Sequence, residues 1–419
     1  MDRSIDRLLQ QELAALSEAN RLRRLRPWHW QQGRLHDADG RKLIDAASND
    51  YLGLSQHPLV KARAAEWAER HGAGAPASRL VTGTRDITLA VEEKLAAFKG
   101  CEAALLFSSG FQANATVIPA LGRVGQPSPA IPLPEGEGRQ SAPFSSREKG
   151  GGLRGGTAIF SDELNHASII HGVRAARCPT AIFRHNDLDH LDDLLRQTTG
   201  RKLIVTESVF SMGGDRADLP ALLQLAERHG AALYVDEAHA TGVLGPQGRG
   251  LAADCGGVDI VMGTLGKAFG AFGAYIAGSR MLIDWLANRC PGFIYTTALP
   301  PAVLGAVDAA LDLVPGMDEE RARLARNSQH LRDVLAQRNY DTLASSTQII
   351  PVVIGSEEDA LAAAQRLEDA GVLAVAIRPP TVPEGSSRLR LTLHSNLGEE
   401  DMQRLLDAVA ASLPPRQKG

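Results

Sequence analysis

The middle of this chain alternates short apolar runs with stretches of helix length, and that alternation leaves few folds open. The runs fall at 104–107, 157–160, 181–183, 203–206, 232–235, 260–262 and 274–277. Several are apolar throughout instead of at every second position, the pattern of strands covered on both faces. The intervening stretches read as helices. At 219–229, for example, Pro220 suits a first helical turn. A β-α-β-α order predicts an α/β fold with a mostly parallel sheet and helices on both faces.

The last hundred residues read differently. A long helical stretch at 317–337 precedes strands near 348–354, 373–377 and 388–393, with helices at 357–369 and 399–413. This predicts a smaller α+β unit. Near the N-terminus Ile5, Leu8, Leu9, Leu13 and Leu16 recur at helical spacing. They predict an amphipathic helix packed near that smaller unit. The expected division is an N-terminal helix and arm over 1–52, a large ligand-binding domain over 53–293 and a small domain over 294–419.

Composition removes several function classes. With 45 Lys+Arg against 49 Asp+Glu in 419 residues, the formal charge of −4 gives no global field for nucleic acid or an anionic membrane. No run of about 18 apolar residues predicts a spanning helix. The N-terminus is charged from its second residue and does not read as a secretory signal, so the cytoplasm is the expected location. Cys101, Cys178, Cys255 and Cys290 are too widely spaced for a zinc site or a disulfide framework, and no metal is expected.

The segment 125–156 fits neither unit. It is rich in Pro, Gly and Ser without apolar period. Its Gly150, Gly152 and Gly155 formally match a dinucleotide fingerprint, but that motif needs a strand before it and a helix opening on it. Here a charged, Ser-rich stretch precedes the glycines and a strand follows. The expectation is a flexible, dispensable insertion.

In open α/β sheets the ligand sits beyond the carboxyl ends of the strands, so the residues that follow each run carry the functional reading. Ser108, Ser109, Gly110 and Phe111 lead into a helix whose first amides suit a phosphate. His166 follows the run at 157–160. Glu207, Ser208 and Ser211 follow 203–206, and Asp236 and His239 follow 232–235. After 260–262 comes Thr264-Leu265-Gly266-Lys267. A lysine at a buried strand end is costly unless it has a use, and desolvation makes its amine a nucleophile or base. Taken singly, each has an ordinary reading: a solvated loop lysine, a capping aspartate, a core histidine, a serine-capped helix. Together they supply a phosphate site, a Schiff-base lysine and an acid for a pyridinium nitrogen, which is what pyridoxal 5'-phosphate requires.

The motifs Ser48-Asn49-Asp50-Tyr51-Leu52-Gly53-Leu54, Asp236-Glu237-Ala238-His239-Ala240-Thr241-Gly242 and Thr264-Leu265-Gly266-Lys267 resemble those of the α-oxoamine synthases, which are fold-type-I pyridoxal-phosphate transferases. The resemblance runs from about Arg21 to the C-terminus, broken by 125–156. It implies that Lys267 carries the cofactor, that Asp236 pairs with the pyridinium nitrogen, that His239 bonds the phenolic oxygen and that His166 stacks on the ring. Gly110, Phe111, Thr264, Ser211 and Thr297 are implied in cofactor binding. Arg378 is implied as the clamp for the amino-acid carboxylate, with Thr381 and His166 beside the substrate and Arg23 at the acyl donor. The family is dimeric, and Asn49 and Thr297 are implied to serve the partner's site. The stretch Ile377-Arg378-Pro379-Pro380-Thr381-Val382-Pro383 resembles the branch that condenses L-alanine with a pimeloyl thioester, carried on CoA or on acyl carrier protein. Glycine with an acetyl thioester is the alternative within the family. The stretch His394-Ser395-Asn396-Leu397-Gly398 departs from the usual family pattern, and no role is carried onto it.

Overall fold

The computed structural model describes residues 4–31, 34–125 and 156–416. Most of the predicted insertion, residues 126–155, lies outside the described residues. Its two flanks meet at Arg201, whose side chain donates to the Val124 carbonyl (2.7 Å) and whose own carbonyl accepts from Ala158 N (2.8 Å).

Seven strands build the central sheet: β1 (Ala103–Phe107), β2 (Ala158–Asp162), β3 (Thr180–Phe183), β4 (Lys202–Glu207), β5 (Ala231–Asp236), β6 (Ile260–Thr264) and β7 (Ala274–Gly278). They lie in the order β1-β7-β6-β5-β4-β2-β3. The run from β6 to β3 is parallel, and β7 is antiparallel to both β6 and β1. Successive side chains of a strand enter opposite layers. In β1, Ala103, Leu105 and Phe107 join one apolar cluster while Ala104 and Leu106 join the other. In β5, Tyr234 faces the first and Leu233 and Val235 the second. Burial on both faces explains why these strands read as unbroken apolar runs.

The parallel strands bring their C-terminal ends to one edge. Asp162–His166, Glu207–Ser211, Asp236–His239 and Thr264–Lys267 all leave the sheet there. Helix Gly110–Gly122 begins at the same edge, and Ser109 caps it by accepting from Gln112 N (3.1 Å).

The C-terminal part holds an antiparallel sheet of Ile349–Gly355, Ser387–Thr392 and Val375–Ile377, with helix Glu357–Asp369 packed on it. The run at 373–377, one strand by sequence, is two. Val372–Leu373 pairs in parallel with Lys42–Asp45, in a sheet with His29–Gln31 and Arg34–His36, while Val375–Ile377 pairs with Ser387–Thr392. A five-residue apolar segment carries no mark of a change of sheet at Ala374. The N-terminal helix forms over Ser4–Glu18, but its stripe does not pack as expected: Ile5, Leu8, Leu9, Leu13 and Leu16 are all exposed. No helix among the described residues is long and apolar enough to cross a membrane.

One buried ion pair anchors the loop after β5. Lys99 Nζ lies 2.7 Å from Glu237 Oε2, and both side chains are fully buried. Glu237 Oε1 accepts from Ala252 N (2.8 Å), and Lys99 also donates to the Arg249 carbonyl. Burial opposes the Lys99 charge, but Glu237 outweighs it and holds the pKa at about 12. Removing one partner leaves a buried charge unpaired, so Lys99→Met is expected to cost about 3–5 kcal/mol of stability. Urea unfolding measures this, and a loss below about 1 kcal/mol, the ordinary worth of an exposed pair, would contradict it.

Candidate active site

Gly110, Phe111, Asn114, His166, Glu207, Asp236, His239, Thr264 and Lys267 line a cavity of about 180 Å³ at the strand-end edge, with Ser168, Ala238 and Met262. A larger cavity of about 770 Å³ lies between Asp50, Arg323 and His394 and contains none of the predicted site residues.

Asp236 ends β5, is 3% exposed and is held at both oxygens. Asn114 Nδ2 donates to Oδ2 (2.8 Å) and Ala238 N to Oδ1 (2.8 Å). Asn114 is itself fixed, because its Oδ1 accepts from Tyr234 Oη (2.6 Å) and its Nδ2 also donates to Ser168 Oγ (2.9 Å). Asn114 was not among the predicted site residues. Its signal was an amide on an otherwise apolar helix face between Ala113 and Val117.

Lys267 Nζ lies 2.8 Å from His239 Nε2. The other ring nitrogen of His239 lies 2.6 Å from Tyr51 Oη, which donates to Asn49 Oδ1 (3.1 Å). Tyr51 has one proton, so His239 Nδ1–H donates to Tyr51 and Nε2 accepts from Lys267, a tautomer assigned by these bonds. Burial, then the nearby cations Lys267 and Arg390, push the His239 pKa well below its usual value, so the ring is neutral.

Burial also lowers Lys267, to about 8, with Asp236 and Glu207 pulling upward and Arg390 downward. The uncharged amine is the nucleophile. Capture of added pyridoxal phosphate by cofactor-free protein should therefore quicken as pH rises and level off above about 8, followed by the yellow absorbance. A rate still climbing towards 10.5, the pKa of an ordinary lysine, would contradict the lowered value.

Glu207 is buried, and its Oε1 accepts from His166 N (2.5 Å). Burial, then the Asp236 charge, raise its pKa well above the carboxylate range. His166 stands at the cavity mouth. Its Nδ1 accepts from Ser168 N (3.2 Å) and lies 2.7 Å from Ser168 Oγ, which puts the ring proton on Nε2, and burial lowers its pKa.

The remaining predicted residues fall in three places. Arg23 Nη2 donates to Thr381 Oγ1 (3.3 Å), and Arg378 donates to the Asn20 carbonyl, so the N-terminal arm and 378–381 meet. Asn49 Oδ1 accepts from Arg390 Nη2 (3.2 Å), and Arg390 Nε donates to the Ser211 carbonyl (2.7 Å). Thr297 is exposed, pairs with Ser78 and does not line the cavity. Arg390 is buried and its charge acts on Lys267 and His239, whereas Arg378 feels Arg23 and Glu357. Arg390 is not legible as a site residue in the sequence, because it lies inside an apolar strand pattern and resembles an outward-facing charge.

The donor set fits pyridoxal phosphate. The first amides of helix Gly110–Gly122 are left over from helix pairing and suit a phosphate. Asp236 and Lys267, the latter with an amine of lowered pKa, line the same cavity. The fold is that of a fold-type-I pyridoxal-phosphate transferase, and the cavity fits its cofactor. The chain belongs to the family of class I and II aminotransferases, whose model matches residues 41–409. Among its relatives, an 8-amino-7-oxononanoate synthase of Gluconacetobacter diazotrophicus is 53% identical over 88% of each chain. A serine palmitoyltransferase from S. paucimobilis, solved with bound PLP joined to myriocin, superposes with a TM-score of 0.83 at 27% identity over 96% of each chain. The 8-amino-7-oxononanoate synthase of Francisella tularensis does so with a TM-score of 0.71 at 26% identity, over 88% of this chain and 97% of that one.

Proposed function

We propose that this chain condenses L-alanine with a pimeloyl thioester to give 8-amino-7-oxononanoate, carbon dioxide and the free thiol carrier, a step of biotin biosynthesis. The observation that carries the reading is the 2.8 Å contact of Lys267 with His239 in a cavity that also holds Asp236 and the start of helix Gly110–Gly122. The relatives named above support the choice of reaction.

Pyridoxal phosphate, when bound, draws electron density from the α-carbon of the amino acid and so makes that carbon a nucleophile. Lys267 Nζ, Asp236, His239 and the Gly110 and Phe111 amides would hold it. Asp236 would face the ring nitrogen, and Asn114 keeps that carboxylate from turning away. Arg390 takes the amino-acid carboxylate, since a guanidinium fork suits it and this arginine's charge reaches Lys267. Arg23 and Arg378 lie together at the arm and suit a second anion on the acyl donor. Lys267 Nζ takes the α-proton of alanine. The α-carbon bonds to the thioester carbonyl while His166 Nε2–H donates to the oxygen on which charge develops, the C–S bond breaks, and the thiolate leaves and takes a proton from solvent. The carboxylate leaves as carbon dioxide, and a proton returns to the carbon.

The reading includes a homodimer with sites at the subunit boundary. Phe111 at the cavity and Val81 and Tyr295 near Thr297 are exposed apolar residues in the single chain, as expected of a surface that a second copy covers.

The test is a panel of L-alanine, L-serine and glycine against pimeloyl and acetyl thioesters, on CoA and on acyl carrier protein. L-Alanine with a pimeloyl thioester should give the highest kcat/KM. A preference for glycine with the acetyl donor would overturn the reading.

A further inference from the structure

The ring of His185 lies between two carboxylates, one at the end of β2 and the other in the loop after β4. Its Nδ1 lies 3.0 Å from Asp162 Oδ1 and its Nε2 lies 2.8 Å from Asp215 Oδ2. An acceptor on each nitrogen calls for both ring protons, so the ring is an imidazolium. Burial pulls its pKa down, but the hydrogen bonds to Asp162 and Asp215 outweigh burial and carry it to about 10. The Phe210 ring meets it edge-on at 4.4 Å between centroids. The three side chains are 22%, 0% and 10% exposed, so this is not a solvated surface pair.

Each aspartate shapes a loop that ends at the active site, Asp162 through its carboxylate and Asp215 through its backbone carbonyl. Asp162 Oδ1 also accepts from Leu164 N (2.8 Å) and Oδ2 from Asn186 N (3.0 Å). Asp162 thereby fixes the turn that delivers His166. The Asp215 carbonyl accepts from Phe210 N (3.0 Å) and closes the loop that contains Ser211. The Ser211 carbonyl in turn holds Arg390 Nε at 2.7 Å. His185 itself does not line the cavity.

We propose that His185 is a positioning residue for the condensation: by bridging Asp162 and Asp215 it fixes His166 against Arg390. The proposal rests on the reading that these two groups face the amino-acid substrate. His166 rides on the loop after β2 and Arg390 is held by the loop after β4, and the His185 ring joins the two loops through their carboxylates. Reacting groups tolerate little displacement, about 100-fold in rate for 1 Å, so loosening this bridge acts on the substrate step before it acts on cofactor retention.

The experiment compares holoenzyme with wild-type sequence, His185→Gln and His185→Gly, measuring KM for L-alanine, kcat, cofactor absorbance and Tm. Glutamine offers one amide group and cannot donate from two nitrogens. His185→Gln is expected to raise KM for L-alanine about tenfold while the cofactor absorbance persists. Free imidazole added to His185→Gly should bring KM back towards wild type. An unchanged KM in His185→Gln, or imidazole that restores Tm without restoring KM, would show a purely structural ring and overturn the proposal. A wild-type enzyme without response to L-alanine would overturn the substrate reading instead, and the same comparison would then be made with the amino acid it accepts.

Discussion

Lys267→Ala should lose at least about 10³-fold in kcat while still binding pyridoxal phosphate, because it removes both the covalent anchor and the base. The expected split between turnover and binding follows from the geometry. Lys267 lines the cavity, and the helix-start amides at Gly110 and Phe111 and the Asp236 carboxylate are contributed by other elements. A phosphate and a ring nitrogen therefore keep their partners when the amine is gone. Alanine in place of lysine leaves His239 Nε2 without its 2.8 Å neighbour, and His239 stays tied to Tyr51. Equilibrium dialysis of the cofactor and a single-turnover assay separate the two effects. A variant with near wild-type kcat would remove Lys267 from the chemistry.

Asp236→Asn is the second large effect, and it should appear in the α-proton step before it appears in binding. Both oxygens of Asp236 already accept a hydrogen bond, from Asn114 Nδ2 and Ala238 N. An asparagine must turn its amide nitrogen towards one of these donors or towards the cofactor, so it cannot satisfy both and also oppose a positive ring nitrogen. The lost charge is expected to cost about 10²–10³-fold in the rate at which the α-proton of L-alanine exchanges into D2O, the usual scale for one electrostatic stabiliser. Exchange at the wild-type rate would contradict the role given to Asp236.

Much of this site was legible in the sequence because the sheet makes it so. A parallel strand buried on both faces announces itself as an apolar run, and the residue that ends the run lies at the ligand edge. Asp236, His239, Lys267 and His166 were found that way, and the structure brings all four to one cavity. Four features were not legible, each for a physical reason. Asn114 and Arg390 act through contacts that cross many residues of sequence, 122 between Asn114 and Asp236 and 341 between Arg390 and Asn49. The break at Ala374 is a change of pairing partner, which an apolar segment of five residues does not encode. The exposed stripe of helix Ser4–Glu18 has a helical period, and a period fixes a face but not what covers it.

Borohydride reduction of the holoenzyme, followed by peptide mapping, tests most directly whether these strand-end residues form one cofactor site. A pyridoxyl group on Lys267, and on no other lysine, is the predicted result. A label on a different lysine, or no label on a yellow enzyme, would contradict the account.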